Sequence, residues 1–391
     1  MSESSPLMAT RRFGPVALAG READGAWEIA VERGTIAAIE PVGDEPTRLA
    51  LPAFADLHVH ADRAFARGPR PPRSLADAVE LVVEVKLAST EEDVRARATR
   101  LFETALAHGT LRLRTHVDVD PHIGERGLSG VLAARQALAG LLDVEVVAFA
   151  TKFADPVAGD GAERLRAAVE AGADLLGGVP RLHADPTASI GRILDLAAEL
   201  AVPVDLHVDE DSSADGFLLE RLAEATLERG LEGRVTASHA CALAAVDETT
   251  ARRTIEKLAQ ARITVVALPA LNLFLQGRGE ASPRVRGVTL VRELLAAAVP
   301  VRFGSDNVRD VFYPYGDADP LEAAWLAAVA AHVDDAEALV AGVCEGRRGL
   351  AAGDPADFVL VDALSLDDAL SRRPAGRTVV RGGEVVSGAA P

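Results

Sequence analysis

The chain has 391 residues, 49% of them hydrophobic and 26% charged, and a formal charge of −18. That sign argues against nucleic acid or an anionic membrane as the main partner, since both need a basic face. Two cysteines, Cys241 and Cys344, are too few for a disulfide framework or a thiolate zinc cluster.

In chain order, the first segment, MSESSPLMATRRFG, lacks the apolar core of a signal peptide. No apolar run elsewhere reaches membrane-spanning length, so a cytoplasmic location is expected. Residues 1–50 hold short strand candidates (GPVALAG, AWEIAVERGTIAAIEPV, RLALP) separated by Gly and charged turns. Residues 350–391 read the same way, through ADFVLVDA and RTVVRGGEVVSG. The two ends are therefore expected to pair into one small β-sandwich domain.

Residues 51–349 alternate instead. Eight apolar runs of strand length (FADLHVH, LRLRTHVDV, VEVVAFA, ADLLGGVP, PVDLHVDE, RVTASHA, ITVVALP, VPVRFGSD) are separated by longer stretches whose apolar residues recur at helical spacing. The first of those stretches runs unbroken from Ser74 to Gly109. Eight strand–helix units close a (β/α)₈ TIM-like barrel. A doubly wound open sheet is the alternative, but the Gly-rich phosphate turn usual after its first strand is missing.

Barrel chemistry sits at the C-terminal ends of the strands, and the polar residues fall there. Strand one ends at His58 and His60. Alternation of side chains along a strand sends both the same way, as two ligands of one metal ion or as a hydrogen-bonded surface pair. Strand two ends at His116, with Asp118 behind it. Strand five ends at His207, with Glu210 three residues on. Strand six ends at His239 and strand eight at Asp306. The other histidines, His108, His122, His183 and His332, fall in helices or loops and are given no role.

A buried cluster of imidazoles and carboxylates is costly without a bound charge or a tight hydrogen-bond network. One divalent ion, zinc or iron, held by His58, His60, His207 and Asp306 accounts for it and leaves a position for water. The bound water would fall in pKa from about 16 toward about 7. Glu210 is then the expected proton shuttle, and His239 would orient the nucleophile or polarise the bond under attack. His116 and Asp118 either support the ligands, touch substrate, or satisfy each other.

The order HxH, His, His, Asp on strands one, five, six and eight resembles the amidohydrolase superfamily. Residues 204–316 are similar to its cytosine deaminase branch, through VDLHVDE, GRVTASHACAL, NLFLQGR with RVRGVTLVRELL, and FGSDNVRDVFYPYG. The resemblance implies a mononuclear site, because strand four ends in GGVP with no lysine to bridge a second ion. It also implies that Glu210 serves a ring nitrogen, that His239 assists the attacking hydroxide, that Asp306 doubles as ligand and base, and that ammonia leaves a small nitrogen heterocycle of pyrimidine or triazine type. Relatives commonly assemble, which makes a homo-oligomer an expectation.

Several positions depart from that pattern. Thr151 and Lys152 stand where cytosine deaminases place a Gln that reads the pyrimidine amide edge, and Asn307 follows Asp306 where many relatives have a second Asp. Phe312 is the nearest match to the aromatic closing the pocket. Arg63 stands where N-isopropylammelide hydrolases often carry Lys, and would hold a substrate carbonyl or anionic ring unless it pairs with Asp62 or another rim acid. Two alternatives to the deaminase therefore remain at this point: an amidohydrolase cleaving a cyclic amide or N-substituted amine on a similar ring, and a metal-binding scaffold without activity.

Overall fold

The structure, a computed structural model, describes residues 10–278 and 286–389. Most of the leading segment of the sequence, and Arg284 and Val285 of the RVRGVTLVRELL motif, lie outside the described residues.

Strands β1 (Arg11–Leu18), β2 (Ala26–Glu32), β3 (Thr35–Val42) and β4 (Arg48–Pro52) come from the first fifty residues. They lead into β5 (Phe54–Val59), which opens the barrel. Helices α1 (Leu75–Ala88) and α2 (Glu91–Ala107) follow, then β6 (Thr110–Asp118), α3 (Arg126–Ala137), β7 (Asp143–Ala150) and α4 (Gly161–Glu170). Next are β8 (Leu175–Gly178), α5 (Pro186–Leu200), β9 (Val204–Val208), α6 (Leu219–Glu228), β10 (Val235–His239), α7 (Glu248–Gln260) and β11 (Thr264–Ala267). The barrel ends with α8 (Pro269–Leu275), α9 (Val291–Ala296), β12 (Val301–Phe303), α10 (Pro320–Ala331) and α11 (Ala336–Val343). The chain closes on β13 (Phe358–Val361), α12 (Leu366–Arg372), β14 (Arg377–Arg381) and β15 (Glu384–Ser387).

Strands β5 to β12 pair in sequence order as one eight-stranded sheet, with parallel neighbours. A parallel bridge between Val59 and Asp306 joins the last strand to the first, and the Asp306 amide donates to the His58 carbonyl at 2.7 Å. Closure of the barrel thus sets the strand-eight carboxylate directly beside the strand-one histidines. The strands are buried on both faces, as a parallel sheet covered by helices requires.

The chain ends form one hydrogen-bonded seven-stranded sheet in the order β15-β14-β13-β4-β1-β2-β3. Its arms fold toward each other: the Arg11 guanidinium donates to the Gly383 carbonyl at 3.2 Å, and the Ala356 amide to the Gly34 carbonyl at 2.9 Å. Phe13, Ile29, Ile36, Phe358, Leu360 and Val380 fill the space between.

The long helical stretch from Ser74 to Gly109 is two helices. Ser89 is extended (φ −72°, ψ 135°) and Thr90 caps α2 by accepting the Asp93 amide at 3.2 Å. Side-chain oxygens of this kind satisfy orphan amides and so start helices. The break has a consequence for the site. It frees α1 from the outer helical ring to pack against α8 and residues 311–313, through Ala78, Leu81, Val82, Leu271, Leu275 and Phe312.

Candidate active site

The four predicted ligands meet. The Nε2 atoms of His60 and His207 are 3.2 Å apart, and Asp306 Oδ1 lies 3.3 Å from His60 Nε2 and 3.7 Å from His58 Nε2. Ligands about 2.0–2.1 Å from one tetrahedral ion stand roughly 3.4 Å from each other, so the spacing suits a shared cation. The unsatisfied atoms point the same way. His58 Nε2 and both Asp306 oxygens are buried with no hydrogen-bond partner, which a bound cation would remedy.

The layer beneath orients the first ligand. Asp205 accepts the Ser238 hydroxyl at 2.8 Å, and Ser238 Oγ lies 2.8 Å from His58 Nδ1. With its proton committed to Asp205, Ser238 accepts from Nδ1–H, which leaves the Nε2 lone pair facing the site. Asp205 also binds Arg114 at 2.9 Å; burial would raise its carboxyl, but His116 and Arg114 together outweigh burial and hold it down at about 2.

His58, His60 and His207 are pushed well below the ordinary imidazole range, first by burial and then by the imidazoles around them, with Arg63 acting on His60 and His207 as well. They are neutral and available as ligands. Asp306 is pushed well above the carboxylate range, by burial and then by Glu210. Glu210 is raised to about 7, chiefly by burial. His239 is lowered to about 3 by burial, so its ring is neutral too. Its Nε2 is 4.0 Å from Asp306 Oδ2.

These groups open onto a cavity of about 670 Å³ whose wall includes His60, Arg63, His207, Glu210, His239 and Asp306. Arg63 Nη1 donates to both Asp118 oxygens at 3.1 and 3.2 Å; the guanidinium is 3.7 Å from Asp310 and stands over the Phe312 ring at 4.9 Å. Its acid partners are therefore Asp118 and Asp310. Thr151 lines the cavity but donates its hydroxyl to Asp120 at 2.8 Å. Lys152 stands at the rim, paired with Glu80 of α1. Asn307 donates to Asp310 and is buried with it. His116 stacks on His58 with ring centroids 4.0 Å apart, its Nε2 3.4 Å from Asp205.

Of the histidines given no role, His183 bonds Ser189 and the Thr151 carbonyl, His108 pairs with Asp317, and His122 with Asp120. His332 ends α10 in the left-handed region.

Several site residues escaped the sequence reading. Lys86 of α1 reaches into the cavity wall, where it binds Asp120 and, at 2.7 Å, Asp118. In a helix pattern it looks like any solvent-facing lysine. Phe149, from the end of β7, packs its ring on His207 at 4.4 Å and on His60 at 5.9 Å. Asn272 and Gln276 come from α8 and its cap; the former faces His239 and the latter donates to the Glu210 carbonyl. Both lie in the NLFLQGR motif, as two amides four apart in an otherwise apolar PALNLFLQ, but the sequence assigned neither a role.

A family model described as amidohydrolase family matches residues 128–387. The chain is 36% identical to a pterin deaminase from Rhizobium rhizogenes, over 93% of this chain and 88% of that protein. It is 27% identical to an N-isopropylammelide isopropyl amidohydrolase from Pseudomonas sp., over 88% and 87%. Among solved structures, a 5-methylcytosine deaminase from Klebsiella pneumoniae liganded with phosphonocytosine superposes with a TM-score of 0.89 at 29% identity, covering 97% of this chain and 99% of that one. With a family match across most of the barrel, a full-length relative above 30% identity and the same closed barrel, this chain belongs to the amidohydrolase family.

Proposed function

We propose that the protein is a metal-dependent hydrolase that deaminates an amino-substituted nitrogen heterocycle, with a fused, pterin-like ring as its substrate class. The observation that carries the reading is Glu210. It is a carboxyl raised to about 7, on the wall of a cavity it shares with Asp306 and His207. A group half-protonated near neutrality is suited both to give and to take a proton.

His58, His60, His207 and Asp306 would hold one divalent ion, zinc or iron, which when bound lowers the pKa of water toward about 7. A single ion also suits β8. A Cβ at Gly177 would lie 2.5 Å from the Asp205 carbonyl, so this strand end has no room for a bridging side chain. Hydrolysis of a ring C–NH₂ group forms a C–O bond and breaks the C–N bond. A proton must leave the attacking water, one must reach the ring nitrogen, and the departing nitrogen must leave as ammonia. Asp306 is placed to accept the first. Asp306 then passes that proton to the amine, while Glu210, protonated at the outset, delivers to the ring nitrogen and recovers a proton from the hydroxyl as the carbonyl forms and ammonia leaves. Phe149 and Phe312 bound the space for the ring, while Arg63, fixed by Asp118, offers its remaining donors to a ring oxygen.

The pterin-like class is favoured over cytosine on two grounds. Thr151 has its hydroxyl committed to Asp120 and so is not free to read a pyrimidine amide edge. The cavity, about 670 Å³, is also at the upper half of the range for small-molecule sites and far larger than one six-membered ring.

The test is ammonia release from a panel of pterin, cytosine, 5-methylcytosine, isoguanine, creatinine, aminotriazines and N-isopropylammelide, with metal analysis of the same preparation. Pterin is expected to be turned over best, and Glu210→Gln to abolish turnover. Alkylamine release without ammonia would replace the deaminase by the N-substituted amine hydrolase. Full activity in Glu210→Gln would remove the shuttle.

A further inference from the structure

Strand seven ends without a predicted ligand, yet α8, which starts there, meets the site from behind. Asn272 is the one polar side chain in PALNLFL and is 2% exposed. Its amide nitrogen lies 3.2 Å from His239 Nδ1. The backbone of the same residue is held as well. The Thr289 hydroxyl donates to the His239 carbonyl, and the residue sits in the left-handed region at φ 75°. Its other nitrogen, Nε2, is buried without a partner on the side of Asp306.

These contacts bear on an ambiguity in the cluster. By distance alone His239 qualifies as a ligand, since its ring nitrogen, one from His58 and an oxygen of Asp306 lie within 4.8 Å of one another. A ring that binds metal through Nε2 must carry its proton on Nδ1 and needs an acceptor there. The side chain at that position presents a donor. An N–H directed at Nδ1 requires a lone pair on it, and the single proton of the neutral ring then resides on Nε2.

We propose that Asn272 is a positioning residue that fixes His239 as the Nε2–H tautomer, which keeps it out of the ligand set and makes it a hydrogen-bond donor aimed into the site. The inference rests on the proposed function only for the step that the donor serves; the tautomer itself is a property of the protein.

The experiment is two-bond ¹H–¹⁵N correlation spectroscopy of the full-length protein labelled with [¹⁵N]histidine, as purified and after addition of zinc. The His239 signals are identified by their loss in His239→Gln. The wild-type ring is expected to be Nε2-protonated in both samples. Asn272→Asp keeps the shape but offers only an acceptor, and should place a proton on Nδ1. On any heterocycle that is deaminated, that variant should lose on the order of 10²-fold in kcat, the scale of a misdirected acid–base group, with little change in KM. A wild-type ring protonated on Nδ1 overturns the proposal, as does an Asn272→Asp spectrum like the wild type. Should that variant fail to fold, Asn272→Ala serves: a mixed tautomer supports the proposal and an unchanged Nε2–H ring overturns it. Absence of turnover on every heterocycle, beside the expected tautomer, would refute the proposed function and leave this inference standing.

Discussion

Replacing Glu210 by Gln should stabilise the metal-depleted protein while abolishing its activity, and the stabilisation should grow with pH. Burial raises this carboxyl to about 7 from its ordinary value of about 4.5. A raised carboxyl binds its proton more tightly in the folded chain than in the unfolded one. Stability is therefore full below the unfolded value and is lost as pH rises from about 4.5 through 7. Gln has the same shape and never ionises, so it escapes that loss. Linkage arithmetic at 1.36 kcal/mol per unit puts the gain at about 1.4 kcal/mol at pH 5.5 and about 3 kcal/mol at pH 8. With an unfolding entropy of about 2.1 cal/mol/K per residue, the difference between the two pH values corresponds to a Tm shift of about 2 °C. Chelator-treated wild type and Glu210→Gln would be melted side by side at both pH values. Equal melting temperatures at pH 8, or the same gain at both, would refute the burial argument and with it the case for Glu210 as a carboxyl held protonated near neutrality.

Three further outcomes follow from the geometry. Ser238→Ala removes the relay between Asp205 and His58 Nδ1, and should weaken zinc affinity 10–100-fold in a competition titration while leaving the four ligands in place. Asp306→Ala or His207→Ala removes a ligand outright, and metal analysis should fall from near one zinc per chain to a small fraction of that. Lys86→Met leaves Asp120 without its buried cation and Asp118 with Arg63 alone, and should cost about 3–5 kcal/mol in urea unfolding at pH 7. Burial opposes ionisation of Asp120, but Lys86 outweighs it and holds the carboxyl below its usual range. That stability is present above the unfolded carboxyl value and lost as pH falls through the folded one, so the deficit of the variant should shrink only as pH falls below about 4.

The residues legible in the sequence and those that were not differ in how they reach the site. His58, His60, His207 and Asp306 sit at the ends of strands, where the barrel's geometry turns position along the chain into position in space. Eight apolar runs were enough to bring them together. Ser238 and Asp205 lie on those same strands one layer down, and nothing in TASH or VDLH distinguishes a residue that orients a ligand from one that fills the barrel. Lys86, Asn272 and Gln276 lie on α1 and on α8 or its cap, extra elements outside the one-strand, one-helix alternation. Their approach depends on the break at Ser89 and Thr90 and on the packing of Leu81 and Val82 against Leu271 and Leu275. A one-dimensional pattern carries the first kind of placement and loses the second.

That division has a chemical consequence. The strand ends supply neutral imidazoles and a carboxyl whose ionisation is resisted by burial, a set that has no cation of its own to compensate it. Alone, such a cluster is unfavourable, and the unpartnered His58 Nε2 and Asp306 oxygens are the atoms that bear the cost. An incoming divalent ion relieves it most where the lone pairs already point inward, and the layer below arranges that through Asp205, Ser238 and His58. The helices add the opposite kind of control: Asn272 directs a proton rather than a lone pair toward the same space from His239. Lone pairs from one side and a proton from the other divide the four converging histidines into ligands and a donor around Asp306, although distance alone would let His239 serve as either.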